Sequence, residues 1–208
     1  MSWTSPPRTF VTNEVLTSPI FNTHLRDQLL ALGHPYAAEL SQLDRTNSVA
    51  EQSIFATPPT LTGGDLGANG WALIRAAGDG LHNNAATSIT WRLKLGATTI
   101  CGDAVTPAAN ATRFAWQLEC LIHNIASQAV QRARVLLITT RLGETASVAG
   151  TGALALDGTA VVNGGLLIGN AVEDTSSNKV LDFTVQYAVA TTLVSWRREW
   201  VDVLLAQG

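Results

Sequence analysis

The sequence predicts a mainly β protein: an antiparallel, jelly-roll-like β-sandwich preceded by an N-terminal arm and an amphipathic α-helix. Beyond residue 50, apolar and polar residues alternate with a period of two in about eight runs, as in half-buried strands. Loops rich in Gly, Asn and Thr separate the runs without helical patterns, which favours an antiparallel sandwich. We therefore assign residues 1–50 to an arm and helical anchor or trimerisation segment, and residues 51–208 to the sandwich domain. The periodicity is also compatible with a different all-β sandwich.

The N-terminal segment carries the clearest helix signal. Thr17 or Ser18 can cap a helix whose first position is Pro19, and Gly33 supplies the stop. A shorter helical turn is expected over residues 36–43. Four apolar residues of the first helix form one stripe at helical spacing, which we take as an interaction surface of the anchor: Phe21, Leu25, Leu29 and Leu32.

The remaining runs predict strands in order along the chain. The first is a strand that opens at Ile54 and Phe55 and ends at Pro58 and Pro59. The alternating runs that follow are 71–75, 89–95, 114–122, 135–139, 181–189 and 193–205. We expect Trp71, Trp91 and Trp116 to pack in the core, because their strand neighbours are aliphatic. The stretch 145–169, rich in Gly and Ala, predicts strands and loops packed against something, for example a neighbouring subunit.

Charge is scarce in this chain. Hydrophobic residues make up 46% of it and charged residues 14%, whereas about 25% is usual for a soluble domain. The 13 Lys and Arg against 16 Asp and Glu give a net charge of −3, which argues against nucleic-acid binding. Uncharged strand faces of this kind would be stabilised by burial between identical subunits, so we expect a closed homo-oligomer.

No transmembrane or secretory segment is expected. The longest run without a charged residue, 158–172, spans 15 residues, and a membrane helix needs about 20 apolar ones. The first residues, MSWTSPPRTF, contain no apolar stretch typical of a signal peptide.

A search for catalytic chemistry yields no motif, so we predict a protein that is not an enzyme and uses no cofactor or metal. Nucleophile elbows, zinc-protease motifs and Walker loops are absent from the sequence. The glycine-rich run 63–70 leads into a strand and predicts a turn. Asp79 and Asp174 stand in loop-like contexts, where aspartate bonds to local backbone. Cys101 and Cys120 are expected to be small buried thiols, and whether they pair is left open.

The last predicted strand carries a cluster that merits separate attention. Trp196 and Trp200 flank Arg197, and on a straight strand residues four apart share one face. This arrangement predicts a subunit interface, in which Trp and Arg are enriched, or alternatively a ligand platform on which sugars stack.

The N-terminal run TFVTNEVLTSPIFNTHLRDQLLALG resembles the opening of many virion proteins of tailed bacteriophages, in which an arm leads into a "VT…LNTHLRDNL" helix. Phe21 replaces the usual Leu before Asn22 and Thr23. Downstream, GWALIRAAGDG, TWRLKLGATTI and LDFTVQYAVATTLVSW resemble the strand pattern of the same proteins. The resemblance thus spans most of the chain.

The resemblance implies a structural role in the virion, after assembly in the cytoplasm of a host bacterium. In such proteins the N-terminal segment anchors the chain to the major capsid protein or to tail or baseplate proteins, and a trimeric jelly roll projects outward as capsid decoration, head fibre or tail fibre. An alternative is a module of a tail fibre that recognises host surface carbohydrate. A polysaccharide-cleaving hydrolase would require paired carboxylates, which the sequence does not reveal.

Overall fold

The computed structural model describes residues 35–107, 109–140 and 163–208. The predicted anchor helix, with Phe21, Leu25, Leu29 and Leu32, lies outside these residues. The described residues between Ala37 and Gly208, which form one compact body, consist of β-strands joined by turns and loops. Within the described ranges, no helix is long and apolar enough to cross a membrane.

Twelve strands are found in the described residues, and they form two antiparallel sheets. Seven belong to one sheet, in the order β1-β12-β5-β8-β9-β10 with β2 also paired to β12. Five belong to the other, in the order β3-β11-β6-β7 with β4 also paired to β11. The strands are β1 (Ala37–Glu39), β2 (Leu43–Thr46), β3 (Gln52–Ser53), β4 (Thr60–Leu61), β5 (Trp71–His82), β6 (Ile89–Leu95), β7 (Thr98–Val105), β8 (Asn110–Asn124), β9 (Gln131–Thr140), β10 (Asn163–Ala171), β11 (Lys179–Tyr187) and β12 (Val194–Ala206).

The two sheets pack face to face around an aromatic core. Trp196 of the seven-stranded sheet meets Trp91 of the five-stranded sheet edge-on, with 5.4 Å between ring centroids. Long strands contribute alternate residues to this interior, the period that the sequence displays. The mainly β, antiparallel prediction is therefore confirmed.

Two local predictions near the start of the body are wrong. Residues 36–43 contain β1 and the first residue of β2 rather than a helical turn. Both strands gain ladder bonds along β12, and this tertiary pairing overrides the helix propensity of the AAEL run. Ile54 and Phe55 follow β3 instead of forming a strand. Each is 1% exposed, and consecutive strand residues cannot both point into one core.

Strand β5 faces the opposite way from what its large residues suggest. Its small residues Ala72, Ala76 and Gly80 point inward, while Trp71 lies half-buried on the outside. At Gly80, a Cβ atom would stand 2.4 Å from the ring of Phe114, which shows how closely the core aromatics approach this strand. The expected core position is therefore wrong for Trp71, whereas Trp91 and Trp116 are buried as predicted.

Candidate interaction surface

The structure separates the two tryptophans of the last strand. A β-bulge in β12, where Glu199 has no opposite residue on β5, shifts the register between Arg198 and Trp200. Because the extra residue reverses the alternation, Trp196 is 1% exposed while Trp200 lies half-buried on the outside of the sheet. The predicted placement of both rings on one face assumed a straight strand and is wrong.

Trp196 is instead the centre of the aromatic core. Its ring stacks on Trp116 with centroids 4.6 Å apart and meets Phe114 edge-on at 6.0 Å. A ring so enclosed cannot stack on a sugar, so the glycan alternative loses half of its predicted platform.

Arg197 joins an ion-pair hub on the outside of the seven-stranded sheet. The carboxylate of Asp79 on β5 accepts hydrogen bonds from Arg197 Nε at 2.9 Å and from Arg113 Nε at 2.5 Å. Burial raises the pKa of Asp79, but the bonds from the two guanidiniums outweigh burial and hold the pKa below its ordinary value. The hub cross-links three strands, and it places Asp79 in a strand instead of the predicted loop.

The face of the seven-stranded sheet that points away from the core, which we call the outer face, combines charged residues with a group of apolar residues. Register places Leu204, Leu73 and Leu121 side by side across β12, β5 and β8. Towards β10, Leu136 is 37% exposed and Ile168 is 53% exposed. The half-buried tryptophans Trp71 and Trp200 lie on the same face. Exposed and half-buried apolar residues on the outside of a sheet give it a second surface suited to a partner.

The five-stranded sheet, by contrast, has a polar outside. Glu51 accepts a hydrogen bond from Thr184 and lies 3.4 Å from the ammonium of Lys94. Arg92 donates to Gln186 across the same surface at 2.8 Å. This sheet follows the usual pattern of apolar inside and polar outside, so the group of apolar residues on the outer face is a property of the larger sheet alone.

Asp182 in this polar network gives the protein a testable pH dependence. Burial raises the pKa of Asp182 to about 6, although the hydroxyl of Ser53 donates to its carboxylate at 2.5 Å. Because the folded state binds this proton more tightly than the unfolded state, its contribution is fully present below the ordinary pKa of 3.8 and is lost as pH rises to about 6.

We expect Asp182→Asn to remove that loss and raise the free energy of unfolding at pH 7 by about 2 kcal/mol. Urea denaturation between pH 4 and pH 7 measures the free energy of unfolding of each variant, with Asp103→Asn on β7 as control. Parallel pH profiles for Asp182→Asn and the natural protein would contradict the assignment.

A second ion pair fastens β1 to the last strand. The guanidinium of Arg198, 1% exposed, donates from Nη1 to Glu39 Oε2 at 2.6 Å. Glu39 also accepts from the backbone N–H groups of Ala56 and Thr57. Burial raises the pKa of Glu39, but these three hydrogen bonds bring it below the ordinary value. One carboxylate therefore joins β1, the segment after β3, and β12.

Within the described residues, the groups that bear on catalysis or metal binding include the two cysteines and the side chains that could bind a metal ion. Cys101 and Cys120 are free thiols, and burial raises the pKa of Cys101 to about 11. Burial also raises the pKa of Cys120 well above its ordinary value. Thiols that stay protonated at neutral pH are weak nucleophiles. No three His, Cys, Asp or Glu side chains in the described ranges lie close enough together to bind a metal ion.

Comparison of the chain with protein families, curated proteins and solved structures finds no match. The outer face therefore stands as the candidate site on its geometry. Sequence reasoning identified Arg197 and Trp200, which lie on this face, but missed Trp71, Leu73 and Asp79. The alternation of β5 was visible, yet period two does not reveal which set of residues faces inward.

Proposed function

We propose that this protein is a non-enzymatic structural protein of a tailed-phage virion. Its N-terminal segment anchors it to the major capsid protein or to a tail or baseplate protein, and its β domain projects outward as a homotrimer. The observation that carries the trimer is the group of apolar residues on the outer face of the seven-stranded sheet, where Ile168 is 53% exposed. Association removes such a surface from water, at about 25 cal/mol per Å² of apolar area. The phage assignment rests on the resemblance of the N-terminal run.

The jelly-roll assignment belongs to the same proposal. In a jelly roll a long hairpin folds over on itself, so the first strand pairs with the last and the second with the second-last. Among the eight long strands, β5 pairs with β12, β6 with β11, and β8 with β9. The third and sixth, β7 and β10, belong to different sheets but approach closely: a Cβ at Gly169 would lie 2.1 Å from the carbonyl oxygen of Ile100. We infer a jelly-roll variant in which β5 also pairs with β8.

The anchor is tested on its apolar stripe. We expect Leu25→Asp or Leu29→Asp to abolish docking on the particle and leave the β domain folded, because a charge on the stripe opposes its burial. Particles assembled in cells carrying each variant are sedimented and probed for the chain, and circular dichroism reports the β domain.

Thr23→Asp is the matched control, since helical spacing places residue 23 opposite the stripe. It adds the same charge and should leave docking intact. Normal amounts of Leu25→Asp and Leu29→Asp on sedimented particles would overturn the anchor.

A further inference from the structure

Charge is unevenly distributed over the outer face. Arg132 and Arg134 are exposed on β9, and register places both on this face. Among the residues that the structure describes, the face carries five carboxylates and three further guanidiniums, which leaves a surplus of two negative charges. The carboxylates are Asp44, Asp79, Glu119, Glu199 and Asp202, and the guanidiniums are Arg75, Arg113 and Arg197. The positive surplus on β9 thus equals the negative surplus elsewhere.

Two of the three exposed carboxylates on the outer face lie on the side of the sheet away from β9: Asp44 on β2 and Glu199 at the bulge of β12. The third, Glu119, lies on β8 opposite Leu136. Asp202 is nearby on β12, in an ion pair with Arg75 at 2.5 Å. We call Asp44, Glu199 and Asp202 the acidic side.

The opposite side combines cations with exposed apolar residues. On β9 the two arginines are followed on the same face by Leu136, and Ile168 of β10 lies directly opposite Arg134. Within the described residues β10 is the last strand of the seven-stranded sheet, and its nine residues include no charged residue and no proline. We call Arg132, Arg134, Leu136 and Ile168 the basic side.

We propose that the basic side of the outer face docks against the acidic side of a second copy of this chain. The inference rests on the proposed function, which requires an oligomer, and it adds which surfaces meet. Two different patches in contact make a heterologous, head-to-tail interface, and such interfaces close into rings when the rotation allows. The charges select the partner, and the apolar residues between them are removed from water.

Charge reversal and charge exchange test the proposal on the full chain. We expect Arg132→Glu combined with Arg134→Glu to reduce the solution mass threefold, to that of one 22.0 kDa chain. Asp44→Lys combined with Glu199→Lys should do the same. All four substitutions in one chain should restore the oligomer, because both sides are then reversed and the natural net charge is regained. Light scattering after gel filtration measures each mass.

Restoration by the fourfold variant shows that the paired variants fold, and circular dichroism checks each of them. Thr99→Glu combined with Ala104→Glu adds negative charge on exposed positions of β7 and should leave the oligomer intact. A natural protein that is oligomeric and insensitive to both reversals would overturn the head-to-tail contact but not the virion role. A monomeric natural protein would overturn both this contact and the trimer, leaving the outer face to another virion protein.

Discussion

Replacing Trp196 with alanine is expected to lower the free energy of unfolding by about 3–5 kcal/mol, the range for removing a large aromatic from a packed core. The ring is 1% exposed and in contact with Trp91, Trp116 and Phe114, which come from both sheets. No single neighbour can fill the cavity that its removal leaves. Urea denaturation at a fixed protein concentration measures the loss, since assembly adds to apparent stability.

Trp200→Ala is the matched control on the same strand. Its ring is half-buried on the outer face, so its removal should cost clearly less stability than that of Trp196. Trp196→Phe should also be milder, because the indole N–H of Trp196 has no hydrogen-bond partner among the described residues. Equal losses for Trp196→Ala and Trp200→Ala would contradict the placement of the bulge.

Removing the charge of Glu39 is expected to destabilise the protein by about 3 kcal/mol, because it leaves a buried cation without its counter-charge. Arg198 is 1% exposed and has Glu39 as its ion-pair partner. The guanidinium of Arg45 repels that of Arg198, and the charge of Glu39 offsets this repulsion, so its removal adds to the loss of stability. Glu39→Gln keeps the size of the side chain and isolates the effect of charge. Thermal and urea unfolding give the loss.

A double variant separates the ion pair from the packing of β1. Glu39→Gln with Arg198→Met removes both charges, and most of the lost stability should return. The natural protein should also lose stability as pH falls below 4.5, the ordinary pKa of Glu39, since the folded-state pKa is lower. The Glu39→Gln variant lacks that part of the acid response. A double variant no more stable than Glu39→Gln would assign the loss to the hydrogen bonds of Ala56 and Thr57 instead.

Most long strands could be predicted from sequence because their alternation is a local property. β6, β8 and β11 alternate apolar and polar residues as half-buried strands should, and the structure has them within a few residues of the predicted bounds. The pattern is visible in the sequence because the two sides of each of these strands differ in polarity.

The features that could not be predicted from sequence depend on contacts between residues far apart in the chain. The bulge at Glu199 is fixed by pairing with β5, so local spacing placed Trp196 and Trp200 together. The inward side of β5 is decided by contacts such as that of the Phe114 ring from β8, which needs the room that Gly80 leaves. The strands β1 and β2 are too short to show a period. They form because the backbone of β12 is available to pair with them.

The most direct test of the proposed trimer is the solution mass of the purified full chain, measured by light scattering after gel filtration and repeated on dilution. The account predicts a mass of three times 22.0 kDa that persists at low concentration, because burying the apolar residues of the outer face sustains association. A mass of 22.0 kDa at every concentration would contradict it, since the outer face would then be stable in water without a second copy.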